Sequence, residues 1–129
     1  MKPRIDLISI VTNNFPEMLR FYRDVLGFLV KTNTDGYVEF ESEGVRFAIT
    51  TNSVMKNATG HASFDEKKGG QAFELAFPVA SPHEVDSAYA HLIQKGATPI
   101  KAPENMPWNQ RTAFIADPDG NIHEIFSEL

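Results

Sequence analysis

Asp117-Pro118-Asp119-Gly120-Asn121-Ile122-His123-Glu124-Ile125 joins a tight turn to a strand that carries a carboxylate among apolar residues. Pro118 sets φ for the second turn position, Asp117 can accept a turn hydrogen bond, and Gly120 tolerates the exit conformation, so the peptide predicts a hairpin. Residues 111–116 enter the turn as one strand and 121–127 leave it as another. Period-two alternation puts Ile122, Glu124 and Phe126 on one face, with His123 and Ile125 on the other. Glu124 then has two readings. On a face open to water it is ordinary; lining a pocket it is a binding, proton-transfer or metal group.

Outward from this hairpin, residues 72–80 predict a strand. Ser81 caps a following helix with Pro82 at its first position, and Val85, Ala88, Tyr89, Leu92 and Ile93 make an apolar stripe that Gly96 ends. A strand near 97–102 leads back to the hairpin. The first half of the chain reads the same way: a strand over 5–12, Asn14 as a cap with Pro16 in the first turn, and a stripe of Phe15, Met18, Leu19, Tyr22, Val25 and Leu26 up to Gly27. Strands near 28–34, 37–42 and 44–51 follow, with Asp35-Gly36 and Glu43-Gly44 as turns. A βαβββ unit therefore occurs twice, over 4–51 and 71–129, within a single domain, with a linker at 52–70. The offset from Gly27 to Gly96 is 69 residues and from Gly44 to Gly120 it is 76, so the second copy holds seven more. The stretch Pro103 to Gln110 is expected to carry them as an added loop. A βαβββ unit curls its sheet with the helix on the convex side. The expected fold is α+β, two βαβββ units forming a curved, cup-shaped mixed sheet with helices on the convex side.

Composition narrows the partners. The 129 residues suffice for one packed core and 42% are hydrophobic. A net charge of −5 and a pI near 5.3, with no basic cluster beyond Lys67-Lys68, argue against nucleic acid or an anionic membrane surface. There is no cysteine, so thiolate ligands, disulfides and a thiol nucleophile are excluded. Nothing resembles a signal peptide or a spanning segment, and a cytoplasmic location is expected. The partner expected is a small molecule or another copy of the chain.

With the repeat in place, the chain resembles the vicinal oxygen chelate superfamily, which includes glyoxalase I, extradiol dioxygenases and the bleomycin and fosfomycin resistance proteins. The resemblance rests on Phe21-Tyr22-Arg23-Asp24-Val25-Leu26-Gly27-Phe28 in the first unit. In the second it rests on Trp108-Asn109-Gln110-Arg111, Asp117-Pro118-Asp119-Gly120-Asn121 and Glu124. It implies an ion in the cup, held by one residue from the first and one from the last strand of each unit. Those four positions fall at Leu7, Ala48, Glu74 and Glu124. Only two can bind a metal. Zinc or nickel normally takes three or more protein ligands including imidazole, whereas magnesium or manganese accepts two carboxylates and waters. No cofactor is expected, with a divalent ion on Glu74 and Glu124 as the alternative. The resemblance thus implies a small-molecule-binding protein of the glyoxalase/bleomycin-resistance type, or a metal-free enzyme with Glu124 and Glu74 as catalytic residues. The alternative is a metal-dependent glyoxalase-like lyase or isomerase with a reduced ligand set. A homodimer is expected.

If Leu75, Phe77 and Val79 pack on the helix, Glu74 shares a face with Ala76, Pro78 and Glu124. Repulsion and desolvation should then raise one of the two carboxyl pKa values, leaving an acid beside a base that suits proton shuttling or a cationic group. Leu7, Ala48 and Arg46 would line the ligand space, and Arg46 either does that or neutralises one of these Glu residues. Trp108, on the added loop, either stacks on a ligand or seals the sheet end. Asn109, where relatives often carry Gly, still permits a left-handed backbone. Arg111 either reaches an anionic ligand or ends a strand in solvent. His83, His91 and His123 read as surface or packing residues, and His61 as part of a flexible linker rather than a lid.

Overall fold

The computed structural model describes residues 1–67 and 69–129; Lys68, half of the Lys67-Lys68 pair and part of the 52–70 segment, lies outside the described residues. The chain divides into two compact units, Met1–Gly69 and Gly70–Leu129.

In the first unit β1 (Leu7–Thr12) leads to α1 (Phe15–Arg20), which continues as a π-helical turn over Phe21–Val25. Then come β2 (Val30–Thr34), β3 (Tyr37–Phe40) and β4 (Arg46–Thr51). The sheet order is β1-β4-β3-β2, with β1 and β4 parallel and the other pairs antiparallel. One face carries the aromatic core. Phe40 and Phe47, register partners on β3 and β4, stack with centroids 5.5 Å apart, and Tyr22 meets Phe47 edge-on at 5.1 Å. Phe28 closes the cluster at 5.3 Å from Phe47.

Asn14 occupies the N-cap position of α1, and its carbonyl accepts from the Met18 amide at 3.0 Å. Its side chain makes no capping bond, and its own amide donates to Thr12 Oγ1 at 2.8 Å. The expected linker also holds regular structure: α2 spans Asn52–Thr59 and a 3₁₀ turn Ala62–Asp65. Thr51 caps α2 by accepting from the Val54 amide at 3.1 Å, and Gly60 ends it at φ 69°. The helix lies against the β2–β3 turn. A Cβ on Gly36, at φ +76°, would sit 2.8 Å from Val54 Cγ2, so this turn needs glycine for both its backbone and its neighbour.

The second unit contains β5 (Ala76–Pro78), α3 (Pro82–Gln94), β6 (Thr98–Met106), β7 (Gln110–Ala116) and β8 (Ile122–Glu128). Its sheet order, β5-β8-β7-β6, repeats that of the first. Ser81 Oγ accepts from the Glu84 amide and Glu84 Oε2 from the Ala80 amide, a reciprocal cap that starts α3 where the sequence places it. Val85 on α3 and Ala113, Ile115 and Ile125 on the sheet are all buried. Two expectations change. The strand over 72–80 shortens to three residues, leaving Glu74 before it. The stretch from Pro103 to Gln110 is not a loop, because the extra residues lengthen the hairpin: β6 runs nine residues to Met106 against five in β2, and β7 runs seven against four in β3, with register shifts between Pro99 and Lys101 and between Lys101 and Glu104.

Both units thus pair a mixed four-stranded sheet with helices, an α+β fold.

Candidate functional site: the Glu124 face of the second unit

The turn that starts β8 is built around one side chain. Asp117 is buried, and its Oδ1 accepts from the amides of Asp119 at 3.0 Å and Asn121 at 2.9 Å. Oδ2 accepts from Asn121 Nδ2 at 2.8 Å, and Gly120 takes φ +83° at the exit. This fixes where β8 begins, and alternation does the rest. His123, Ile125 and Ser127 are buried on the α3 side, whereas Ile122, Glu124 and Phe126 are half-buried on the other.

Glu124 pairs with Ala76 across β5 and with Phe114 across β7. Its pKa is raised, first by partial burial, then by the charge of Glu74. The Thr112 hydroxyl is near enough to pull the other way, but this is the smallest of the three influences. It does so without the geometry of a hydrogen bond, since Thr112 Oγ1 is buried and unsatisfied among the described residues. Glu74 is exposed, and the neighbouring Leu75 is tied to β8. The Glu124 amide donates to Leu75 O at 2.9 Å, and the Leu75 amide to His123 Nδ1 at 3.1 Å. An acceptor-only carboxylate beside a desolvated carboxyl can share a proton, or receive a donor group from a ligand.

The other expected residues fall elsewhere. Trp108 sits at the tip of the β6–β7 hairpin and is 56% exposed. That tip closes with the Asn109 amide on Met106 O and Asn109 at φ 66°, the left-handed backbone its sequence permits. Arg111 is paired within its own unit. It faces the helix side, where Nη2 and Nε bond Asp86 of α3 and Nη1 bonds Asn105 Oδ1. Bonding to Asp86 is the main reason its pKa rises.

In the first unit Arg46 pairs with two carboxylates of that unit. Its Nε bonds Glu39 Oε1 at 2.5 Å and its Nη1 reaches Asp6 Oδ2 at 3.3 Å, which raise its pKa in that order. Leu7 is the first residue of β1 and partly exposed; Ala48 is fully buried on β4. Glu39 was missed by sequence reasoning. It is 6% exposed and is the register partner of Ala48, so this unit keeps a carboxylate one strand away from the position equivalent to Glu124. Reading alternation across β3 against β4 would have found it. With Lys31, Phe40, Glu41, Ser42 and Arg46, Glu39 lines a hollow of about 250 Å³, smaller than ordinary ligand sites.

Among the described residues no three His, Cys, Asp or Glu side chains gather as a metal-binding group. A donor set of two carboxylates does not fit zinc or nickel. His83 and His91 are exposed on α3, and His61 caps the 3₁₀ turn by accepting from the Ser63 amide at 3.2 Å. His123 is fully buried and hydrogen-bonded. No helix is long and apolar enough to cross a membrane among the described residues.

A family model described as Glyoxalase/Bleomycin resistance protein/Dioxygenase superfamily matches residues 4–125. The uncharacterized protein YraH of Bacillus subtilis (strain 168) is 30% identical over 95% of this chain and 96% of its own length. A crystal structure of a glyoxalase/bleomycin resistance protein/dioxygenase from Nocardioides is 29% identical, with TM-score 0.88 over all of this chain and 85% of that one. A family enzyme from Burkholderia phytofirmans PsJN is 25% identical, with TM-score 0.86 over 96% of this chain and 98% of its own. A lactoylglutathione lyase from Agrobacterium tumefaciens, 21% identical with TM-score 0.74 over 95% and 92%, shares the fold.

Proposed function

The chain belongs to the Glyoxalase/Bleomycin resistance protein/Dioxygenase superfamily, and from that premise we propose that it binds a small molecule on the Glu124 face of its second unit, with Glu124 and Glu74 as the working pair. The observation that supports this reading is the placement of Glu124, a half-buried carboxylate on β8 whose pKa is pushed up first by burial and then by the charge of Glu74. A structural carboxylate on such a face would be expected to have a cationic partner. Glu124 instead has another acid and an unsatisfied hydroxyl. The pair supplies an acid and a base, able to move a proton on the ligand or to hold a group rich in hydrogen-bond donors.

No step is routed through a metal. The apolar Leu7 and Ala48 stand at two of the four positions that the family resemblance assigns to ligands, and two carboxylates do not make a zinc or nickel site. A homodimer in the cytoplasm is part of the same proposal. Trp108, in the same unit as the pair, is the expected aromatic contact to the ligand.

A thermal-shift screen of small polar, aromatic and amine-bearing compounds, repeated with Glu124→Gln and Glu74→Gln, tests the reading. Compounds that stabilise the parent should lose at least about tenfold in affinity on either change, the scale of one hydrogen bond to a charged group. Ligands that bind both variants as tightly as the parent would place the site elsewhere. Elemental analysis should find no stoichiometric zinc or nickel; one such ion per chain, removed by Glu124→Gln, would replace this reading with a metal-dependent one.

A further inference from the structure

The β5–β8 ladder is broken at one step, and a side chain fills the gap. The Val79 amide donates to Phe126 O, and four residues earlier the same spacing would have the Leu75 amide donate to Ile122 O. That carbonyl is taken. Gln71 Nε2 donates to Ile122 O at 3.0 Å, while Gln71 Oε1 accepts from the Ile122 amide at 3.0 Å, so the Gln71 side chain pairs with this residue in place of the backbone. The Leu75 amide turns to His123 Nδ1.

An imidazole nitrogen that accepts from an amide carries no proton, so a neutral His123 must bear its proton on Nε2. Nε2 lies 3.6 Å from Asp117 Oδ2, where the carboxylate favours that tautomer. Both side chains are fully buried, and Phe77 meets the ring edge-on at 6.0 Å. Asp117 is in turn held by the hairpin amides. A continuous set of contacts runs from the turn through Asp117 and His123 to the backbone of Leu75, the residue after Glu74.

We propose that His123 is a positioning residue for the Glu74–Glu124 pair: its Nδ1 replaces the occupied carbonyl in the ladder, anchors Leu75, and so keeps Glu74 beside Glu124, with Asp117 holding the ring proton on Nε2. The proposal rests on the reading that this pair is the working site. Its test reads the backbone rather than ligand binding, so the two can fail separately.

Two substitutions divide the ring from the acceptor. His123→Phe keeps an aromatic ring against Phe77 and removes the nitrogen; His123→Asn removes the ring and keeps an acceptor near the Nδ1 position. In the unsubstituted protein, a scalar coupling between the Leu75 amide nitrogen and His123 Nδ1 is expected by NMR. In His123→Phe, amide exchange at Leu75 should accelerate by about tenfold relative to Ile115, which reports the core, and the order parameter at Glu74 should fall. His123→Asn should keep both within about threefold of the parent. The proposal is overturned if the coupling is absent, or if His123→Phe leaves Leu75 protected relative to Ile115. The coupling needs no variant, so it decides the question even if a substituted chain fails to fold.

Discussion

Glu124 owes its raised pKa to two causes that substitution can separate. Glu74→Gln removes the neighbouring charge and leaves burial in place, so the Glu124 carboxyl should titrate at lower pH in the variant but still above its unfolded value. Carboxyl-carbon NMR titration measures this, and an unmoved Glu124 would mean the two groups do not interact. Stability should follow the same shift. Because folding raises this pKa, the proton's contribution is complete below the unfolded value of about 4.5 and is lost as pH rises through the folded value. Glu124→Gln should therefore match the parent in urea unfolding below that value and become the more stable chain towards neutral pH. Glu74 lies before β5, outside the strand expected for it, but the face of Glu124 was legible because alternation in a strand is a strong rule and Glu124 follows by four residues the Gly120 that ends a turn fixed by Asp117. Arg46 and Arg111 were not. Which carboxylate a long cationic side chain selects depends on cross-strand and helix neighbours, Glu39 and Asp86 here, that lie 7 and 25 residues away in sequence.

At the scale of elements, caps and stripes were legible where the signal was local. Ser81, Pro82 and the stripe through Val85 predicted α3, and removing the cap by Ser81→Ala should cost about 0.5–2 kcal/mol. Ile115→Ala, which empties a fully buried site on β7, should cost about 2–5 kcal/mol, and urea unfolding of both variants checks the ranking. Asn14 stands at the N-cap of α1 as expected, but its side chain makes no capping bond. The 52–70 stretch misled because its glycines and lysines hid a short helix whose cap, Thr51, belongs to the preceding strand. The extra residues of the second unit looked like a loop because strand length leaves no mark on composition; they lengthen β6 and β7 instead.

For the whole molecule, the repeat was the most legible feature, since two βαβββ patterns demand two like sheets, and both have the same strand order. With a net charge of −5 and no basic run in the sequence beyond Lys67-Lys68, we expect no retention on duplex DNA at about 0.1 M salt, and band-shift assays provide the check. Retention that falls steeply with added salt would contradict this. The chemistry was less legible than the fold because it depends on single positions. Leu7 and Ala48 sit in strands as good as any liganding strand, and only the side chains differ.

The helix of the first unit has one further consequence. Between Phe21 and Val25 it winds in a π turn, with the Leu26 amide reaching back five residues to Phe21 O, whereas α3 is regular throughout. Such a turn holds one residue more than an α turn, which is what a single-codon insertion leaves behind when the buried side chains on both sides keep their places. Deleting an exposed residue there, such as Arg23, would return the turn to ordinary winding, where the same deletion in α3 would rotate everything downstream off the sheet.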